Sequence, residues 1–175
     1  MNIEKTHYTE ALSYYKIANS LKKYLNKDTI IICIGTDRCI GGDCLGPLVG
    51  TILKYKNIPL KLYGTLDEPI HALNIDETIK KIKSSYPNTS IIGIDACLGD
   101  KNNIGQIQVR DFPIQPGKGV GKTLPKVGDC SIVGIVDSND NCDIFTSANT
   151  RLSLILNIAK VIAHSILHCC YILDI

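Results

Sequence analysis

Apolar and polar positions alternate along this chain in a way that predicts strands and helices taking turns. Ile30, Ile31, Ile32 and Ile34, interrupted only by Cys33, form a β-branched run that suits a strand buried on both faces of a sheet. At Gly35 the pattern breaks into a loop carrying Thr36, Asp37, Arg38, Gly41, Gly42 and Asp43. Gly46-Pro47 then opens a segment with Leu48, Val49, Ile52 and Leu53 at helical spacing. Proline is well placed in a helix's first turn, where its missing N–H would be unpaired anyway. The stretch reads strand, glycine-rich loop, helix, with Asp43 just ahead of a helix N-terminus whose dipole favours negative charge.

Before this stretch, Thr9 to Asn26 puts Leu12, Tyr15, Leu21 and Leu25 on a common face and predicts a helix. After it, Pro59 to Tyr63 reads as a short strand and Gly64 to Pro69 as a loop. Ile75, Ile79, Ile82 and Tyr86 stripe a further helix that Pro87-Asn88 stops. Ser90 to Ile94 is another buried strand, ending at Asp95, and Asn102-Asn103 is a turn. Gly105 to Arg110 alternates and reads as an edge or hairpin strand. Phe112 to Asp129, with three prolines and four glycines, has neither period and reads as a long irregular loop. Ser131 to Val136 is the last strand.

Leu152 to Leu173 is apolar and long enough to suggest a membrane span. Asn157, Lys160, His164 and His168 nevertheless fall three and four apart, which gathers them into one polar stripe. The segment is therefore expected to be a mostly buried helix with one wet edge, capped by Asn149 or Thr150. Strands alternating with helices predict the α/β class: a mainly parallel sheet covered on both faces. One domain over residues 1–175 is expected, with an N-terminal helix in 1–28 and the core in 29–175.

Composition removes several classes. Hydrophobic residues make 45% of the chain and charged residues 21%, ordinary values for a globular protein. A formal charge of +2 without a basic block gives no case for a nucleic-acid partner. The first thirty residues lack the apolar core of a signal peptide, so a cytoplasmic location without a membrane is expected. On that expectation the eight cysteines are reduced thiols rather than four disulfides. None forms a C-x-x-C pair, which leaves a structural zinc site without support.

Two strands run out near an acid, Asp43 past a loop and Asp95 directly. From spacing alone they read first as a turn or cap acid and a strand-end acid. If the strands are neighbours, the carboxylates meet at one sheet edge. A close pair resists holding two negative charges, so one acid keeps a proton. The charged member then activates water and the protonated one assists the carbonyl or leaving group. The same pair can instead coordinate a divalent metal. Arg38 reads as a surface ion-pair residue or as a holder of a substrate carbonyl or carboxylate. Asp129 reads as a turn acid or as part of the same site. Gly117, Gly119 and Gly121 serve close backbone approach to a substrate or simple bending. Cys44 and Cys97 lie beside the two acids, where a carboxylate raises a thiol's pKa, so both are expected to be buried and inert. Gly121-Lys122-Thr123 imitates the end of a phosphate-binding loop, but Pro116 stands at the first glycine position and Leu124-Pro125-Lys126 opposes the required helix.

The blocks CIGTDRCIGGDCLGPLVG, IIGIDACLG and GKGVGKTLPKVGDCSIVGIVD resemble the YyaC-type sporulation proteins, relatives of the spore germination protease and, more distantly, of the hydrogenase-maturation endopeptidases. The resemblance runs from Thr29 to the end. It implies a three-layer α/β/α sandwich of phosphorylase/hydrolase-like type and a sporulation role in the forespore or mother-cell cytoplasm. By the germination protease, Asp43 and Asp95 would be catalytic on a protein or peptide substrate; Arg38, Asp37, Gly119 and Asp129 are the candidates for the substrate side by their own positions and chemistry. A non-catalytic protein that binds a peptide or partner on the same fold is the alternative. In the hydrogenase endopeptidases, acids at the two places bind nickel with a later histidine. None of His7, His71, His164 and His168 follows Asp95 at a suitable place, so no cofactor is expected. The first loop is one residue longer than the family's, Gly41-Gly42 standing for a single glycine, which keeps Asp37 beside Asp43 as a second candidate acid.

Overall fold

The structure is a computed structural model that describes residues 2–116, 124–139 and 150–175. Its centre is one six-stranded sheet. The strands are β1 (Ile3–His7), β2 (Ile30–Cys33), β3 (Lys61–Tyr63), β4 (Ile91–Gly99), β5 (Gln106–Arg110) and β6 (Cys130–Ser138), in the spatial order β1-β5-β6-β4-β2-β3. The pairs β6–β4, β4–β2 and β2–β3 are parallel, while β5 runs antiparallel to both β6 and β1. The helices are α1 (Ser13–Leu21), α2 (Leu45–Tyr55), α3 (Ile75–Ser85) and α4 (Leu152–Leu173).

The sheet is buried on both sides, so its middle strands read as continuous apolar runs rather than alternating ones. On one face Ile31, Cys33, Ile92, Ile94 and Ile132 pack under α1, α2 and α4. On the other, Ile30, Ile32, Ile34, Ile91 and Val133 meet Ile75, Ile79 and Ile82 of α3. Ile114 and Val127, joined by an isolated antiparallel bridge, complete that second layer. The result is the three-layer α/β/α arrangement expected from the sequence.

Helix α2 rests on the sheet through glycines. A Cβ on Gly46 would stand 2.1 Å from the Ile34 carbonyl oxygen, and one on Gly50 would stand 2.0 Å from that of Gly64. These two residues, four apart, present one bare edge of the helix to the ends of β2 and β3. The apolar C-terminal segment is a helix of 22 residues, long and apolar enough to cross a membrane by length and composition. It buries Ile155, Ile158, Ile162 and Ile166 against the sheet layer and exposes Asn157, Lys160 and His164, while His168 is half-buried beside Tyr14.

Several expectations change. The N-terminal segment is not a helix alone: β1 precedes α1, and α1 is shorter than the Thr9–Asn26 pattern. Strand β5 is not an edge, because β1 pairs with its outer side; on the other side it pairs antiparallel with the next strand, β6. Strand β4 continues past Asp95 to Gly99, so this acid lies inside a strand. Thr150 does not cap α4; its hydroxyl donates to Asp137 Oδ2 at 2.9 Å, and Arg151 holds the cap position without a side-chain bond. Asn149 lies outside the described residues, as do Gly117, Gly119, Gly121 and the Lys122-Thr123 motif. The cysteines are not all reduced thiols: Cys39 and Cys44 form a disulfide. They meet because the intervening residues fold into a tight turn, which cysteine spacing alone does not reveal.

Candidate acid-pair site

Backbone hydrogen bonds at the carboxyl end of β2 assemble the site. Ile34 N–H donates to the Ile94 carbonyl at 2.8 Å, Gly35 N–H to that of Ile70 at 2.8 Å, and Thr36 N–H to that of Asp43 at 3.1 Å. Cys33 is in register with Ile94, so the next step along both strands sets Ile34 beside Asp95. The loop returns through a single 3₁₀ turn, Ile40–Gly42, and delivers Asp43 to the same strand end. Gly41 and Gly42 take φ of 60° and 80°, backbone that favours glycine. A Cβ on Gly42 would lie 2.5 Å from Val136 Cγ2, so the turn sits directly on β6.

Asp95 and Asp43 have different surroundings. Asp43 is exposed and makes no side-chain cap to α2. Asp95 is half-buried, and its Oδ1 accepts the Ala96 N–H at 2.8 Å. Burial pushes the Asp95 carboxyl up to about 8, and the neighbouring charge of Asp43 raises it further against the lowering pull of the Ala96 N–H and Arg110. The carboxyl therefore holds its proton at neutral pH. These are the environments that separate an acid from a base within a carboxyl pair.

Strand β5 brings polar groups that the sequence reading did not select. Ile107 and Val109 enter the core below α4, which turns Gln106, Gln108 and Arg110 to the face that carries Asp95. Arg110 donates from Nε and an Nη to Gln108 Oε1 at 3.1 and 2.8 Å, and Gln108 Nε2 donates to Gln106 Oε1 at 2.6 Å. The same Nη lies 3.8 Å from Cys97 Sγ, and the guanidinium carbon stands 5.8 Å from the Phe112 ring centre. Burial raises the Cys97 thiol, opposed by Arg110. The alternation QIQVR is visible in the sequence; that its polar face is the one carrying Asp95 follows only from the strand order β5-β6-β4.

The other candidates separate. Asp129 lies at the far end of β4 from Asp95: its carboxylate accepts the Ile91 N–H at 2.8 Å, and its own N–H donates to the Ile91 carbonyl at 2.8 Å. It fixes strand register there and does not meet the acid pair. Asp37 and Arg38 are exposed on the first loop, and Arg38 uses its backbone N–H and carbonyl to bind the Thr36 hydroxyl. Among the described residues the Arg38 guanidinium has no ion-pair partner. Asp43 and Asp95 make a two-donor set beside a cationic Arg110, and no group of three His, Cys, Asp or Glu side chains gathers among the described residues. That set does not fit the nickel centre of the hydrogenase endopeptidases.

A cleft of about 800 Å³ follows the open edge of β3, walled by Lys54, Leu62, Tyr63, Pro69, His71 and Asn74. Ile70 also lines it and pairs with Ile34, the neighbour of Asp95. That wall residue thus stands two strand spacings, roughly 10 Å, from Asp95.

The family described as a protein of unknown function (DUF1256) matches residues 5–165. A protein of Bacillus subtilis (strain 168) described as uncharacterized protein YyaC is 43% identical over 151 residues, covering 86% of this chain and 73% of that protein. No solved structure gives a significant match. The matched residues include β2, the acid-bearing loop, β4, β5 and β6. The chain belongs to the DUF1256 family and is of YyaC type.

Proposed function

We propose that this protein is a peptide-bond hydrolase in which Asp43 acts as general base and Asp95 as general acid. The supporting observation is the unequal pair itself: an exposed carboxylate beside a half-buried carboxyl that keeps its proton to about pH 8. Asp43 would take a proton from water as it attacks the scissile carbonyl, and Asp95 would give its proton to the carbonyl oxygen or departing nitrogen. Arg110, on the same face, adds a fixed positive charge where an oxyanion develops. The cleft along β3 is of a size to receive an extended peptide. The resemblance to the germination protease favours the same reaction, and that to the YyaC-type proteins favours a role in sporulation, in the cytoplasm of forespore or mother cell.

The test is incubation of the full chain with soluble protein from sporulating Bacillus subtilis, with new N-termini read by mass spectrometry. New termini should arise with the native chain and vanish with Asp95→Asn, whose fold is checked by its melting curve. Identical termini from the native chain, Asp95→Asn and Asp43→Asn overturn the reading. Capture of a peptide or protein that survives loss of both acids would favour the binding role instead.

A further inference from the structure

The disulfide between Cys39 and Cys44 encloses the turn that carries Asp43. We propose that it is a reversible redox site, reduced by a small dithiol or a dithiol protein, whose state sets where Asp43 stands relative to Asp95. The proposal builds on the acid pair described above, but its readouts are independent of peptide hydrolysis.

Three features carry it. First, the ring is short: the cysteines are 5 apart in sequence, with Cα atoms 4.8 Å apart. A cross-link over so few residues removes little freedom from the unfolded chain, so it contributes least as a staple of the fold. What it does restrain is local. The enclosed residues are Ile40, Gly41, Gly42 and Asp43, the segment that places the carboxylate.

Second, the two ends differ. Cys39 is exposed, whereas Cys44 is fully buried at the head of α2. An incoming thiolate reaches the Cys39 side, and exposed disulfides are the labile ones. The attack forms a mixed disulfide on Cys39 and releases Cys44 as a thiolate, which takes up a proton. The second thiol of the reductant then displaces Cys39. The reductant leaves as its own disulfide, and two electrons and two protons have reached the protein.

Third, apart from the packing of Gly42 on Val136 of β6, few bonds hold the turn. Asp43 N–H donates to the Ile40 carbonyl at 3.2 Å, within the ring, and Thr36 N–H donates to the Asp43 carbonyl at 3.1 Å. Gly41 and Gly42, both at positive φ, are the residues most free to take other conformations once the ring opens. The Cys33, Cys130, Cys169 and Cys170 thiols are buried and pushed up in pKa, which makes them poor competitors for exchange.

The experiment uses the full chain, treated with reduced or oxidised dithiothreitol, alkylated without unfolding and mapped by mass spectrometry. An additional adduct on exposed Cys39 should appear on reduction and disappear on reoxidation, with buried Cys44 labelled alongside it when a second alkylation follows unfolding. In parallel, ¹H–¹⁵N spectra should show the amides of Gly41, Gly42 and Asp43 shifting on reduction. The Ala96 amide, which donates to Asp95, should shift with them. A Cys39→Ser chain should give the reduced spectrum under both conditions. Two outcomes overturn the proposal: a bond that resists dithiothreitol in the folded chain, or thiols that cycle while the Asp43 and Ala96 amides stay in place. If Cys39→Ser does not fold, the reduced native chain alone decides. Neither result depends on whether peptide is cleaved, so failure here is distinct from failure of the hydrolase reading.

Discussion

The guanidinium of Arg110 reaches within 3.8 Å of Cys97 Sγ, on the sheet face that also carries Asp95. Its charge opposes the upward displacement of both groups. Arg110→Met should therefore raise the Asp95 carboxyl above about 8 and the Cys97 thiol further above its present position. Carboxyl-carbon NMR titration and a pH series of thiol alkylation read the two effects. An unchanged Asp95 would detach Arg110 from the acid pair.

Asp95 also makes the fold sensitive to pH. Its folded pKa of about 8 lies above the ordinary 3.8, so between these values the folded state holds a proton that the unfolded state has lost. The contribution is fully present below about pH 4 and is lost as pH rises through about 8, by on the order of 1 kcal/mol per pH unit. Asp95→Asn should flatten that slope and match or exceed the native melting temperature at pH 8. A variant that melts lower than the native chain across the range would mean that the carboxyl proton is not the cause.

The same proton makes a prediction about rate. If Asp95 donates in the reaction, cleavage should fall about tenfold per pH unit above its pKa. The descending limb should move upward in Arg110→Met. A flat profile from pH 7 to 9 would exclude Asp95 as the acid.

Helix α2 should not tolerate a methyl group on its sheet-facing edge. Gly46→Ala would press Cβ to 2.1 Å from the Ile34 carbonyl oxygen, a backbone atom that cannot swing aside. A loss of about 3 kcal/mol or more in urea unfolding is expected. Gly42→Ala meets Val136 side-chain atoms instead, so its smaller loss should be partly recovered by adding Val136→Ala.

Asp129 tests strand register without touching the acid pair. Asp129→Ala removes the acceptor for the buried Ile91 N–H and should cost about 1–2 kcal/mol. The Asp95 titration should stay where it is, because Asp129 binds Ile91 at the start of β4, away from Asp95 at the middle of the strand.

The sequence made the parallel core legible because the isoleucine runs of β2, β4 and β6 need cover on both faces. The loop position of Asp43 followed from the glycine-rich break after β2, whereas Asp95, read as a strand end, lies inside β4 because the residues up to Gly99 stay paired with β6. What escaped was long-range. Ile3–His7 has little local strand signal, being mostly exposed, and is a strand only because β5 offers it an edge. Gln106, Gln108 and Arg110 were passed over because their sharing a face with Asp95 depends on β6 lying between β5 and β4, a long-range pairing. The disulfide escaped for a related reason: two left-handed glycines fold the turn back on itself, and backbone sign is not written in residue spacing.

The pairing of β1 with β5 also has a consequence during synthesis. Asn2 N–H donates to Asp111 Oδ2 across 109 positions, and Ile3 stands opposite Arg110. At about 5–20 residues per second, the opening strand leaves the ribosome roughly 5–20 s before its partner exists. Through that interval its polar, mostly exposed sequence offers little for a neighbouring nascent chain to seize. Arg110 acquires its lateral support only when a strand made about a hundred residues earlier closes over it.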